Sequence, residues 1–201
     1  MSAKRVYSGK NLINNSWWVY YFINYRVWEI KRLCSRAEEL MAENPQFCDE
    51  ANFYHMSNAF TAIGMYELFL SRGNSRKDAW YLLEETMEES VREENKKIRR
   101  KSKIPFVSRR LFKKTLPEDL KSRSGYGWKD ELTLQGSNVI RWECSCCVYK
   151  TLFDRYGLPE LGYIFCRADE LKYEGLKDIT FKRDHSLAID GKSCDLLIER
   201  K

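Results

Sequence analysis

Long apolar segments are missing from this chain of 201 residues. The densest apolar run covers residues 17–23 and soon gives way to polar and charged side chains, whereas an α-helix needs about 20 apolar residues to cross a bilayer. The first residues also lack the apolar stretch that marks a signal peptide. We therefore predict no membrane-spanning helix, no membrane partner and a cytoplasmic location.

A disulfide framework is also missing. The seven cysteines are an odd number without the spacing of a secreted scaffold, so we expect reduced thiols. Three of them lie in the tetrapeptide CSCC, residues 144–147. No second C-x-x-C accompanies it, so a zinc site would have to recruit Cys166, Cys194 or His185 from other elements. The other interpretations of this cluster are a nucleophile, a redox pair, or small apolar side chains in a core.

Acidic side chains are missing from residues 96–114, which contain ten lysines and arginines. The charge of this segment exceeds the net charge of the whole chain, which is +6. The preceding turns are acidic, and the dipole of a helix favours basic side chains at its C-terminal end. We interpret the segment mainly as a solvated helix end. An anion or partner site is the alternative, and nucleic acid is the least favoured ligand.

The first half of the sequence predicts helices. Apolar side chains recur every three or four positions in residues 17–42 and 53–71, and Ser75 is expected to cap a third, long helix. His55 is expected to be structural or exposed. The aromatic side chains of the first helix should lie in the core or form the wall of a ligand pocket: Trp17, Trp18, Tyr20, Tyr21, Tyr25 and Trp28.

The second half predicts short helices and strands. Turn-forming residues indicate a linker or surface loop at 116–127. A short helix is predicted from Cys144 to Tyr156 and another from Pro159, followed by two strands joined by an Asp-Gly turn at 190–191. The class is therefore α+β, with N-terminal helices packed against a C-terminal antiparallel sheet and two short helices. We expect one domain, residues 1–201, with a helical part at 1–115 and an α+β part at 125–201.

Several side chains of the second half suit thiol chemistry. Cys166 and Asp169 are three residues apart on a predicted helix, so a thiol and a carboxylate share one face. Arg183 and His185 share a face of a predicted strand, and a histidine can carry protons near neutral pH. Cys147 falls near a helix start, where backbone N–H groups lower the pKa of a thiol. Either Cys147 or Cys166 is a candidate for the attacking sulfur.

The order of these residues resembles the L-2-amino-thiazoline-4-carboxylic acid hydrolase family. The likeness covers roughly residues 125–200 and depends on four segments: CVYKTLFDRYGLPEL, FCRAD, FKRDHSLA and GKSCD. Asp184 stands where the family usually has threonine, and an acid at that position could neutralise Arg183. The positions that match the family pattern are Cys147, Gly157, Pro159, Glu160, Leu161, Cys166, Asp169, Arg183, Ser186, Leu187, Gly191, Cys194 and Asp195.

This resemblance implies a hydrolase that opens a C–N bond of a small amidine-like heterocycle, such as a 2-aminothiazoline carboxylate, without a cofactor. A thiolate would attack the ring carbon, a carboxylate would move the proton, and an arginine would hold an anionic group. The catalytic candidates are Cys147, Cys166, Asp169 and Glu160, and the substrate-binding candidates are Arg183, His185 and Ser186. We also expect a homodimer.

A more distant likeness to 4-vinyl-reductase-type domains suggests an alternative function. The chain would then be a small-molecule-binding sensory module with a cysteine-based zinc or structural site. Its candidate zinc ligands are Cys147, Cys166, Cys194 and Asp195. A redox protein that uses Cys144 and Cys147 is the third and least favoured interpretation, because the sequence does not predict a thioredoxin-like order of strands.

Overall fold

The computed structural model describes residues 6–19, 21 and 27–201, and only the backbone of residues 114–120 and 122. Five of the helices described come before the first strand, and the four strands follow with two further helices between them, so the α+β prediction is confirmed. The helices are α1 (Gly9–Asn14), α2 (Val27–Glu43), α3 (Phe53–Ser71), α4 (Arg76–Ser102), α5 (Val107–Ser122), α6 (Val148–Arg155) and α7 (Leu161–Tyr173). The strands are β1 (Lys129–Gln135), β2 (Val139–Cys146), β3 (Ile179–Lys182) and β4 (Cys194–Arg200).

Helix α3 is the centre of the helical part. Its side chains are apolar or small on almost every face, and most of them are buried, as expected for a helix surrounded by other elements. It packs against α1, α2, α4 and α6. The predicted helix at 53–71 is therefore confirmed. The structure also confirms the cap of α4, because the Ser75 hydroxyl accepts a hydrogen bond from the Asp78 backbone N–H at 3.1 Å.

The N-terminal helix prediction is partly wrong. Helix α1 precedes it, residues 17 and 18 form a turn, and the described residues of α2 are Val27–Glu43. Glycine at position 9 permits α1 to lie directly on α2, since a Cβ there would be 2.1 Å from the Cys34 carbonyl oxygen. Trp17 and Trp18 are buried as expected, but Trp28 is exposed. The predictions for Tyr20 and Tyr25 fall outside the described residues.

Two boundaries in the second half also differ from prediction. Helix α5 extends to Ser122, so only residues 123–128 form the predicted loop. The segment expected to start a helix at Cys144 continues strand β2 as far as Cys146. Side chains in β2 alternate between buried and exposed positions, which is the two-residue period of a half-buried strand. The helix begins one residue after Cys147.

The strands form one antiparallel sheet in the order β1-β2-β4-β3. Strands β3 and β4 are neighbours as predicted, but the connection between them is not a tight turn. It covers residues 183–193 and includes Gly191 at φ +74°, in the left-handed region that glycine tolerates. No helix among the described residues combines the length and apolar character required to cross a membrane.

The described buried side chains form two hydrophobic clusters. The larger one joins the N-terminal helices to α6 and α7. The smaller one lies on the sheet and includes Phe112 of α5. In the sequence, α6 and α7 lie between strands β2 and β3. Side chains of these two helices and residues of both clusters line a cavity.

Candidate active site

A cavity of about 380 Å³ brings together residues from both halves of the chain. Helices α4, α6 and α7, the sheet and the segment around Trp17 all contribute to its lining. Three of the predicted sulfurs line it, and we call this group the sulfur wall: Cys147, Cys166 and Cys194. Six of its ring systems contact one another, and we call this group the aromatic wall: Trp17, Tyr54, His55, Trp128, Tyr149 and Phe165.

Cys194 has the environment of an activated thiol. It faces Cys144 directly across strands β2 and β4, and the Leu187 backbone N–H donates to its sulfur at 3.3 Å. The Cys144 thiol can direct its proton either to Cys194 or to the Cys146 carbonyl oxygen, which lies 3.2 Å away. The hydrogen bond from Cys144 lowers the pKa of Cys194, and the Leu187 N–H lowers it further.

Cys147 and Cys166 have the opposite environment. Burial raises the pKa of Cys147 to about 12, although the Arg123 guanidinium acts against this shift. Burial also raises the pKa of Cys166, with Arg183 and the Ser186 hydroxyl acting against it. A buried thiol that lacks enough compensating charge stays protonated. Cys147 and Cys166 therefore line the cavity as protonated thiols. Of the three sulfurs, Cys194 ionises most readily.

Ser186 lies behind the sulfur wall and links two of its members. Its hydroxyl oxygen is 3.1 Å from the sulfur of Cys166 and 3.9 Å from that of Cys194, and it accepts the Ala188 backbone N–H at 3.2 Å. The side chain is buried and does not line the cavity. Ser186, which the sequence places in the substrate site, thus has the geometry of a residue that positions sulfur atoms.

Arg183 is a buried cation at the edge of the sulfur wall. One of its nitrogens donates to the Glu170 carboxylate at 2.7 Å and to the Cys166 carbonyl oxygen at 3.0 Å. Its other terminal nitrogen is 3.7 Å from the Asp169 carboxylate, which is beyond ordinary hydrogen-bond distance. Among the described residues, the acids that pair with Arg183 are therefore Asp169 and Glu170. The sequence suggested Asp184 for this role, but its backbone N–H donates to the Asp195 carboxylate instead.

Arg123 is a second cation of the cavity that the sequence did not reveal. Its guanidinium is 2.8 Å from the Asp130 carboxylate and lies over the Trp128 ring, 4.2 Å from the ring centroid. It belongs to the turn-rich segment after α5, where no periodic pattern indicates which side chains point inward. Glu94 of α4 was also missed. It reaches the rim of the cavity, where desolvation raises the pKa of its carboxyl group.

Besides Ser186, three predicted site residues lie outside the cavity. Glu160 does not line it, because its carboxylate accepts hydrogen bonds from Arg76 at 2.6 Å and from Tyr66 at 2.8 Å. His185 is exposed and pairs with Asp190 at 2.6 Å. Asp195 accepts the backbone N–H of Asp184 at 3.0 Å and so fixes the loop before β4. The structure does not bring these side chains together with the three sulfurs.

The polar tips of the aromatic wall are paired with one another. The indole N–H of Trp17 donates to the Tyr54 hydroxyl at 2.7 Å, and His55 Nδ1 is 2.7 Å from the Tyr149 hydroxyl. The Tyr149 ring also lies 4.3 Å from that of Phe165, measured between centroids. Since these contacts occupy polar atoms, the wall offers mainly ring surfaces to a ligand. His55, expected to be structural or exposed, lines this wall.

The zinc alternative requires donor atoms grouped around one point. Among the described residues, no three or more cysteine, histidine, aspartate or glutamate side chains are arranged to hold a metal ion. Of the four predicted ligands, Asp195 faces the backbone of the 183–193 loop, and Cys194 and Cys166 contact the Ser186 hydroxyl. The residues present therefore do not fit a tetrahedral zinc site.

Comparison with known proteins identifies one family. Residues 53–198 match the sequence model of the L-2-amino-thiazoline-4-carboxylic acid hydrolase family. No curated protein matches the chain. The match begins at the first residue of α3 and ends in β4, so it includes every cysteine of the sulfur wall.

The solved structures that resemble the chain are H-NOX proteins. An H-NOX domain from Shewanella oneidensis in the Fe(II)CO state has a TM-score of 0.34 and 13% identity, and the likeness covers 94% of this chain and 97% of that one. An H-NOX protein from the same organism in the Fe(II)NO state has a TM-score of 0.33, 12% identity and coverages of 97% and 99%. The Fe(II) unliganded H-NOX protein from K. algicida has a TM-score of 0.31, 10% identity and 97% coverage of both chains. Scores this low do not establish a common function.

Proposed function

Because this chain belongs to the L-2-amino-thiazoline-4-carboxylic acid hydrolase family, we propose that it hydrolyses a C–N bond of a small, anionic, amidine-like heterocycle bound in the cavity. The observation that carries this proposal is the sulfur wall. One of its thiols, which has a lowered pKa, lines the same cavity as a buried guanidinium and a carboxylate: Cys194, Arg183 and Asp169.

Substrate binding is assigned to the charged groups and the aromatic wall. The Arg183 nitrogen that is 3.7 Å from Asp169 can still donate to a substrate carboxylate. Arg123 supports this assignment with a second positive charge on the cavity lining. The flat ring of the heterocycle would pack against Tyr149 and Phe165, since these rings present apolar faces.

The reaction begins with the Cys194 thiolate, which adds to the ring carbon between sulfur and nitrogen. Asp169 relays a proton from solvent to the ring nitrogen, the carbon–nitrogen bond breaks, and its electron pair stays on that nitrogen as an amine. The carbon is then bonded covalently to the sulfur of Cys194. Water adds to this carbon, Asp169 accepts a proton from the water, and Cys194 leaves as a thiolate. The net change is the addition of one water molecule.

The structure supports Cys194 rather than Cys147 or Cys166 in this role. An attacking sulfur must be ionised at working pH, and burial keeps Cys147 and Cys166 protonated. Cys194 receives hydrogen bonds that favour the thiolate. The sequence did not favour Cys194 as a nucleophile because the position is the first residue of a strand, where no helix start predicts a low pKa.

The test is a ring-opening assay with 2-amino-thiazoline-4-carboxylate, in which the product is identified by mass spectrometry. Wild-type protein is compared with Cys194→Ser, Cys166→Ser and Cys147→Ser, and Cys48→Ser is the control because Cys48 does not line the cavity. We expect Cys194→Ser to abolish turnover and the other variants to retain it. Full activity in Cys194→Ser would exclude it as the nucleophile. Absence of turnover in the wild type, with the ligand bound, would contradict the hydrolase function.

A further inference from the structure

The corner between α4 and α5 exposes two apolar side chains. Ile104 is 54% exposed and Phe106 is 85% exposed, the largest value among the large apolar side chains of the described residues. Phe106 also has φ +66°, a conformation that costs energy for any residue other than glycine. Two apolar side chains exposed to water and one strained backbone position thus occur at the same corner, which indicates a binding surface.

The opposite side of the same corner is fixed to the body of the protein. The Ser102 hydroxyl accepts the Lys177 backbone N–H at 3.0 Å, and Ser102 is fully buried. Phe112, two turns further along α5, is buried in the cluster on the sheet. Because the inner side is anchored on both helices, the exposure of Phe106 follows from the fold and not from a loose chain end.

Basic side chains surround the two apolar ones. Five exposed lysines and arginines lie within six residues of Ile104 or Phe106: Arg100, Lys101, Lys103, Arg109 and Arg110. None of the five has an acidic partner among the described residues. Other cations of the same segment do have one, since Lys96 pairs with Glu93 at 2.9 Å. The helix dipole accounts for basic residues at the end of α4, but it does not account for those that begin α5.

We propose that this corner docks on an anionic lipid surface, with Phe106 and Ile104 inserted among the headgroups and the five cations facing lipid phosphates. Apolar side chains exposed at a turn, flanked in sequence by exposed lysines and arginines, match the physics of interfacial attachment. This contact requires no membrane-spanning helix, in agreement with the described residues, and it differs from the sequence expectation of no membrane partner.

Lipid fits this corner better than the other polyanions. Nucleic acid would use the cations but would gain nothing from a protruding, exposed phenylalanine at a turn. An acidic protein would require a wider apolar surface, and lysine is depleted in the buried centres of protein interfaces. A bilayer surface accepts a small apolar tip and a diffuse positive charge together.

Vesicle co-sedimentation with the full chain tests the proposal. We expect binding to a roughly three-to-one mixture of phosphatidylcholine and phosphatidylserine, weakened by added salt, and no binding to phosphatidylcholine alone. Phe106→Asn should weaken binding roughly tenfold or more, and asparagine tolerates the positive φ. The double variant Lys101→Gln, Lys103→Gln should weaken binding roughly thirtyfold.

Ile189→Asn is the matched control, because Ile189 is 65% exposed in a different loop and should not affect sedimentation. Circular dichroism and thermal unfolding confirm that each variant is folded. Equal binding to both vesicle types would overturn the proposal, as would no binding at all. If the lysine variant binds more weakly but Phe106→Asn does not, Phe106 does not insert into the lipid, and the proposal is overturned in favour of a general polyanion site, which heparin and DNA would then also occupy.

Discussion

Each wall of the cavity takes one residue from α7 and one from the start of α6, yet the two walls have opposite chemistry. Adjacent residues of α7 face different walls, since Phe165 joins the aromatic wall and Cys166 the sulfur wall. The segment at the start of α6 does the same with Tyr149 and Cys147. On the aromatic wall, hydrogen bonds join the polar tips to one another. On the sulfur wall, hydrogen bonds converge on one thiol, and they favour its charged form.

This difference separates two contributions within one cavity, the packing that stabilises the fold and the hydrogen bonds that make a thiol reactive. The aromatic wall is continuous with the large hydrophobic cluster, so it contributes mainly to the free energy of unfolding. The sulfur wall meets the small cluster on the sheet, and its thiols gain little from packing. We expect substitutions on the aromatic wall to change stability, and substitutions on the sulfur wall to change rate, substrate affinity and pH dependence.

The largest effect should come from Phe165→Ala compared with its neighbour Cys166→Ala. Phe165 packs against Trp17, Trp18 and Phe153, so its removal leaves a cavity. We expect the free energy of unfolding to fall by about 3–5 kcal/mol for Phe165→Ala and by about 1 kcal/mol for Cys166→Ala. Urea unfolding measures both. Equal losses in the two variants would show that the walls do not differ in packing.

Arg183→Met should have the next largest effect, on the sulfur-wall side of the comparison. Loss of a charge-assisted hydrogen bond to a substrate carboxylate corresponds to about 1.5–3 kcal/mol, or roughly a tenfold to hundredfold increase in KM. Steady-state kinetics with 2-amino-thiazoline-4-carboxylate measures this change. Arg183→Lys should recover part of the affinity. Lys182→Met is the control, because Lys182 pairs with Glu199 and does not line the cavity.

The sequence predicted the composition of the sulfur wall better than its electrostatics. The residues Cys147, Cys166 and Asp169 could be proposed because family anchors and helical spacing mark them, and all three line the cavity. The low pKa of Cys194 depends on a register between β2 and β4 that pairs it with Cys144. Register is a long-range property of a sheet, and one sequence gives no direct information about it.

The aromatic wall was harder to predict for a different reason. Helix α3 has apolar side chains on nearly all faces, so its existence was clear from the sequence but the direction of His55 was not. Arg123 follows α5 in a turn segment without any period. Glu160, a catalytic candidate from the sequence, does not line the cavity, and its carboxylate joins α4 to the start of α7 through Arg76. Spacing predicts which residues share an element, whereas partners from distant elements decide what each residue does.

Cys144→Ala should shift the pH dependence of hydrolysis. The thiolate of Cys194 is the reactive form, so the rate falls as pH decreases through the pKa of Cys194 in the folded protein. Cys144 is the main cause of the lowered pKa, and its removal should raise that pKa by about one unit, equivalent to about 1.4 kcal/mol. The acidic limb of the kcat/KM profile should therefore move to higher pH, with little change at the alkaline plateau. If the acidic limb does not move, Cys144 does not control the pKa of the reactive thiol.

Tyr149→Phe should have the smallest effect, and it tests the aromatic wall from the inside. The substitution keeps the ring that packs against Phe165 and removes only the hydroxyl that contacts His55. We expect a loss of about 1 kcal/mol in the free energy of unfolding, since one partly buried hydrogen bond disappears, and no change in kcat. Chemical denaturation and steady-state kinetics together measure this result. A large fall in kcat would place the Tyr149 hydroxyl among the reacting groups. The aromatic wall would then contain a group that carries a proton, and the assignment of that wall to packing alone would be wrong.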